Sequence, residues 1–361
     1  MRPSSGGRVL PAPRADHHDE YVFTDRGYYV YGVESHFALI QTVRIPGITG
    51  LRDAVADAKG GFFYISYGTN HIKKWDFVHE RQVWDRTYQP GTDAGALAPG
   101  GRTLYMATGS NNPANWLIIN TSNGSLRGII RASGDGSHNT DISLDGRYVF
   151  LGIHNSPRLG IYDTATKTIR YIRGLVAGVR PIAVTGRSTY AFIDQTGFFG
   201  FSVGSVTTGK DLFNVRIKGF PSSSTAYANS GADAPSHGVA LSPNERELWA
   251  MDRPNGMVHV FDLTPLPARP PRQIADIALG KMNSDEAECS KSCVKEGWVQ
   301  FSRDGKYVYV GDTGAVIDAH TKRVIARLPA LRNSRKHIEV DWYQGKPVWA
   351  SPTRSQQGYV Q

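Results

Sequence analysis

Only two cysteines occur in 361 residues, Cys289 and Cys293. That count excludes a disulfide-scaffolded fold, and with no second pair and no neighbouring histidine the spacing argues against a structural zinc site. A small disulfide loop in an exported protein is the expected role. No apolar run approaches the roughly 18 residues of a membrane span. The first 20 residues, MRPSSGGRVLPAPRADHHDE, lack the apolar segment of a signal peptide and read as a disordered leader. No Gly-x-Ser-x-Gly elbow supports a serine hydrolase of that type. The Gly-rich stretches around Gly134-Asp-Gly136 and Gly204 do not lie between a strand and a helix, as a phosphate loop requires. Without a Cys-x-x-Cys-His motif, covalent haem attachment of that kind is not supported. The net charge of +9 is spread out, with no Lys/Arg run and no RNA-binding signature. It therefore favours an anionic small molecule or acidic glycan over nucleic acid.

What the chain does contain is turns and short strands, with 39 glycines and 11% aromatic residues. Ser236–Leu263 shows the unit: the apolar run Val239-Ala-Leu, a polar turn at Pro243-Asn-Glu-Arg, a second run Leu248-Trp-Ala, a Pro-Asn-Gly turn, then an alternating strand from Met257 to Phe261. Short strands joined by tight turns, with no helical period between them, make a β-meander. The same order recurs after Ser137 and after Gly297. In register, the first strands begin at Arg52, Asp93, His138, Arg180, His237, Gly297 and His337, at offsets of 40 to 60 residues. The longer offsets bracket insertions at about 220–236 and 280–296. Repeats of this length with four strands each predict an all-β, seven-bladed β-propeller over residues 21–361. The seventh copy is short after Pro347-Val-Trp-Ala, and its outer strands are available in Gly27–Glu34 and Phe37–Ile45. The closing blade is therefore expected to join N-terminal and C-terminal strands.

The turn pattern Ser143-Leu-Asp-Gly-Arg-Tyr-Val and Ser302-Arg-Asp-Gly-Lys-Tyr-Val resembles that of the YVTN/lactonase-like seven-bladed propeller superfamily. The outer-strand segments Ile161-Tyr-Asp-Thr-Ala-Thr-Lys-Thr and Val316-Ile-Asp-Ala-His-Thr-Lys-Arg resemble it too. The motif is structural. It implies the fold and carries little chemistry, because that superfamily includes lactonases, cofactor-binding proteins and interaction scaffolds.

Chemistry is sought where inner strands line an axial channel. The repeat places Arg52, Asp93, His138, Arg180, His237, Gly297 and His337 at one mouth, with Glu296 and Trp298 flanking the glycine. Loops of the same face add His71, Asn111, Asn112, His154 and Arg253. Two chemistries fit. His138, His237 and His337 could gather one divalent metal ion on the axis, with open positions left for substrate. Alternatively one histidine acts as base or acid while Arg52 and Arg180 hold a carboxylate, the set that proton abstraction beside a uronate requires. The second is favoured, since two arginines repel a bare cation, although Asp93 and Glu296 weaken that objection. The reading that follows is a secreted or periplasmic, monomeric propeller enzyme acting on an anionic carbohydrate or related carboxylate, lyase- or lactonase-like. The alternative is a non-catalytic propeller that binds a protein, a glycan, or a cofactor such as haem or a metal on the same face.

Overall fold

The computed structural model describes residues 7–222, 234–280, 297–351 and 357–361. Among them there is no α-helix, only strands, turns and one short 3₁₀ turn at Ala330–Asn333. The first strands are β1 (His17–Thr24), β2 (Gly27–Gly32) and β3 (Ala38–Arg44), followed by β4 to β7 (Leu51–Asp57, Phe62–Tyr67, His71–Asp76, Arg81–Thr87) as one antiparallel sheet. The next eleven strands form one continuous sheet. They are β8 (Gly95–Leu97), β9 (Thr103–Ala107), β10 (Gly109–Asn120), β11 (Leu126–Ile142), β12 to β14 (Tyr148–Ile153, Arg158–Asp163, Thr168–Arg173) and β15 to β18 (Val179–Val184, Tyr190–Gln195, Gly200–Ser205, Lys210–Arg216). Two four-stranded sheets follow, β19 to β22 (Val239–Leu241, Glu247–Asp252, Met257–Asp262, Arg272–Ala278) and β23 to β26 (Trp298–Phe301, Tyr307–Gly311, Ala315–Asp318, Arg323–Arg327). Last come β27 (His337–Tyr343) and β28 (Lys346–Ala350), which join β1 to β3 in the order β28-β27-β1-β2-β3. The arrangement is all-β, a set of curled meander sheets of the propeller type.

The eleven-stranded sheet is three meanders in contact. β11 is 17 residues long because its first half pairs with β10 and its second half with β12. The third meander, β15 to β18, touches β14 through a single parallel pair, Arg173 with Lys210. Seven buried apolar clusters among the described residues lie between neighbouring meanders. β20 shows how the sequence achieves this: Leu248 and Ala250 enter one cluster, while Trp249 and Met251 enter the next. Successive side chains of a strand point to opposite faces, so a strand covered on both sides is apolar throughout.

The repeated turn has a chemical basis. The Ser143 hydroxyl donates to Asp145 (2.6 Å) and accepts the Tyr148 amide (2.9 Å), while Asp145 also accepts the Arg147 amide (2.9 Å). Ser302, Asp304 and Tyr307 repeat the scheme, and Ser242, Asn244 and Glu247 do so with asparagine. A short side chain that satisfies turn amides fixes the reversal between first and second strands. Carboxylates then tie one meander to the next: half-buried Asp25 and buried Asp53 and Asp194 accept the amides of Leu51 (2.8 Å), Gly95 (2.8 Å) and Gly238 (2.7 Å).

The N-terminal leader was expected to be disordered to residue 20, and here the structure differs. β1 begins at His17, and residues before it pair with the C-terminal tail. Arg8 and Gln361 exchange two backbone hydrogen bonds, and the Leu10 amide bonds the Tyr359 carbonyl (2.8 Å). The leader is retained because the tail offers it unpaired backbone groups. The tail itself lies across the ends of the first strands. Gln357 reaches Asp141 (2.8 Å), Gly358 bonds Val184, Tyr359 bonds Pro243, and the Val360 amide bonds Glu245 (2.9 Å). Those contacts are at the turn end of the first strands, the face opposite the proposed mouth. Cys289, Cys293 and Glu296 lie outside the described residues, as do residues 281–296 as a whole and most of the earlier insertion.

Candidate functional site

The first-strand register brings most of its residues together. Asp93, just ahead of β8, is buried, and its carboxylate is shared: one oxygen lies 3.1 Å from the Arg52 guanidinium, the other 2.5 Å from Nδ1 of His138. An ionised carboxylate can only accept, so Nδ1 of His138 carries the hydrogen, and in the neutral ring that leaves the lone pair on Nε2. Arg52 is 40% exposed and His138 12%, so the pair is anchored below and open above. The His138 ring meets the edge of His154 at 5.4 Å and lies 6.5 Å from the ring of His237. His237 in turn lies 5.8 Å from Trp298. The chain of contact Arg52, Asp93, His138, His237, Trp298 thus runs across first strands from different meanders.

Arg180 does not behave as expected. Its side chain is buried, one nitrogen contacts Nε2 of His154, and Nε donates to the Thr196 hydroxyl at 2.9 Å. It therefore holds His154 in place, and its charge is turned into the wall. His154 is further fixed through Nδ1 to Asn155 at 2.6 Å. Thr196 was missed by sequence reading, because it ends a second strand and no register marks it. Gly297 occupies the ring with φ +83°, and a Cβ there would meet the Met251 side chain at 2.6 Å. The position requires glycine, leaving Trp298 as the side chain beside His237.

Other expected members stand apart. His71 stacks on Tyr67 at 5.1 Å, next to Asp85, which also takes the Tyr67 hydroxyl (2.6 Å) and Lys73 (3.3 Å). Arg253 bonds the Pro235 carbonyl through its backbone, at the root of the segment carrying His237. Asn112 folds onto the Thr108 carbonyl, and Asn111 is exposed on β10. The expected triad on a metal ion does not form: His337 is wholly buried, with Nδ1 on the Glu20 carboxylate at 2.5 Å. Among the described residues no group of three His, Cys, Asp or Glu side chains is arranged to hold a metal ion. The reason lies in β1, which pairs with β27 and supplies the carboxylate that takes up His337.

No protein-family model matches the chain, and no curated protein matches it either. Among solved structures, a chain titled Kuenenia stuttgartiensis hydrazine synthase superposes with a TM-score of 0.61 at 13% identity, over 88% of this chain and 99% of that one. It is one of 1751 solved chains that match, so the likeness concerns a widely used fold and transfers no activity. Among the described residues no helix is long and apolar enough to cross a membrane.

Proposed function

We propose that the chain is an exported seven-bladed propeller of the YVTN/lactonase-like kind, working as an enzyme on an anionic carbohydrate or related carboxylate at the His138 mouth. The blade count rests on the seven apolar clusters between meanders and on the pairing of β27 with β1. The activity rests on one observation above all, the buried Asp93 shared between Arg52 and Nδ1 of His138. A carboxylate that orients imidazole this way leaves Nε2 as a positioned base. In a lyase reaction, Nε2 takes the proton from the carbon beside the substrate carboxylate. The electron pair becomes a C=C bond as the neighbouring C–O bond breaks, and water returns a proton to the departing oxygen, since His237 is buried beneath the mouth. Arg52 keeps exposed N–H groups for the substrate carboxylate. The same base can activate water against a lactone, the hydrolytic variant of this reading.

The test is a panel of uronate-containing polysaccharides and aliphatic lactones, followed by ultraviolet absorbance for unsaturated product and by proton release for hydrolysis. Activity on either class that is lost in His138→Ala and Asp93→Asn, with folding unchanged, supports the reading. Tight saturable glycan binding without turnover, equal in wild type and His138→Ala, would establish a binding propeller instead.

A further inference from the structure

A second cluster of ionisable groups lies between the closing sheet and the sheet of β23 to β26, and it takes in His337 of the expected ring. β27 places His337, Glu339 and Asp341 on one face at successive alternate positions, and β1 places Glu20 opposite Glu339. Glu20, Glu339 and His337 are buried. Glu20 gives one oxygen to His337. Glu339 accepts the Arg303 amide at 2.9 Å with one oxygen, and its other oxygen meets no N–H or hydroxyl donor among the described residues, with the Asp341 carboxyl as its polar neighbour. The Tyr309 hydroxyl, on β24, is also fully buried and has no hydrogen-bond partner among the described residues. Glu339 and Tyr309 both line a cavity of about 120 Å³ that opens past two ion pairs, His18 with Glu34 (2.7 Å) and Lys306 with Asp304 (2.8 Å).

The charge around this cavity is unbalanced at its floor. Three carboxyl groups gather there; His337 faces Glu20, and His18 and Arg303 act on Asp341, which leaves Glu339 as the carboxyl with no cation beside it among the described residues. The Arg303 guanidinium is turned away, donating to the Leu10 and Pro11 carbonyls (2.8 and 3.1 Å) and stacking on Tyr359 at 3.7 Å. Burying a carboxylate without a counter-charge is costly, so the Glu339 carboxyl is neutralised either by its own proton or by a cation that takes the proton's place. At the rim, Lys306 and His18 already occupy Asp304 and Glu34, so only the floor is left to take a cation. We propose that this cavity binds one small monovalent cation, a primary ammonium group or an alkali-metal ion, between the Glu339 carboxylate and the Tyr309 hydroxyl. A divalent ion is disfavoured because no three suitable ligands converge among the described residues. The volume equals that of about four liquid waters, which admits methylammonium and excludes bulky quaternary ions. Burial and the neighbouring Asp341 hold the Glu339 carboxyl well above the usual carboxylate range, so an arriving cation displaces its proton.

The experiment compares the whole protein in tetraethylammonium, potassium and methylammonium chloride at constant ionic strength, by thermal melting and by titration calorimetry in two buffers of different ionisation heat. Saturable stabilisation by potassium or methylammonium, one site per chain, with proton release at neutral pH, is the expected result. The two salts separate an alkali ion from an ammonium group as the preferred occupant. Glu339→Gln should weaken binding at least about tenfold, as expected for a lost charge-assisted hydrogen bond. Tyr309→Phe removes one oxygen only, and should weaken binding by a smaller factor even if Glu339→Gln fails to fold. Equal melting in all three salts overturns the proposal and makes the cavity water-filled only. So does binding that survives Tyr309→Phe unchanged.

Discussion

Two carboxylate–histidine pairs occupy equivalent places in the repeat, and they differ in where the carboxylate comes from and in how far they are sealed from solvent. His138 and His337 both begin the inward part of a first strand, and both present Nδ1 to a carboxylate at 2.5 Å. The His138 carboxylate comes from the preceding meander, has Arg52 as a second partner, and leaves the ring partly open beside two other histidines. The His337 carboxylate comes from β1 within the same sheet, and both side chains are sealed from solvent. The pair between meanders keeps Arg52 and His138 partly exposed. A pair within a sheet lies in the interface, where it can only bear on stability or on a small buried ion. Register alone does not set how exposed a histidine is; the origin of its partner does.

The comparison can be broken at several points. Deleting residues 1–45 removes β1, β2 and β3 together. It bares the edge of β27 and the apolar clusters around Val22 and Tyr21, so no soluble folded protein is expected by size-exclusion chromatography and circular dichroism. Replacing Glu20 with Ala leaves a buried imidazole without its partner. It should cost about 3–5 kcal/mol in denaturant unfolding, the range for a broken buried pair.

Asp141 gives a pH test on the tail side. Burial pushes its carboxyl up to about 7 from 3.8, against the opposing bond from Gln357. A folded-state value above the unfolded one means that the stability contributed is full below 3.8 and is lost as pH rises through about 7. Asp141→Asn should therefore flatten the fall in melting temperature across that window. Above it the variant should be more stable, by an amount on the order of a few kcal/mol at most.

The smallest stability effect belongs to the open pair. His138→Ala should change unfolding free energy by about 1 kcal/mol or less, as for a partly exposed side chain with little packing. On a turned-over substrate it should lower kcat by about a hundredfold to ten-thousandfold, the usual share of a positioned base. If Glu20→Ala and His138→Ala proved equally destabilising, the distinction between the two pairs would fail.

Much of the fold was legible because it repeats. Apolar runs of three to six residues, Ser-x-Asp-Gly turns and a fixed spacing are local properties, and each has a local cause: strands covered on both faces, and side chains that satisfy turn amides. The use of N-terminal strands to complete the last sheet was legible as well, since a short last copy and strands left over at the other end must be reconciled. The convergence of Arg52, Asp93, His138, His237 and Trp298 also followed from register, as equivalent positions of a repeat fall at one height. What the repeat could not carry was the identity of partners. Asp93 bridges Arg52 and His138, Arg180 turns to His154 and Thr196, and Glu20 captures His337. These pairs join residues 16 to 317 positions apart in the chain, and each depends on which way a side chain leaves a packed strand. The sequence determined the sheets and the height of the ring through local hydrogen bonding and burial. Only the tertiary structure decided which charges meet, because that depends on distances between strands which no local pattern encodes.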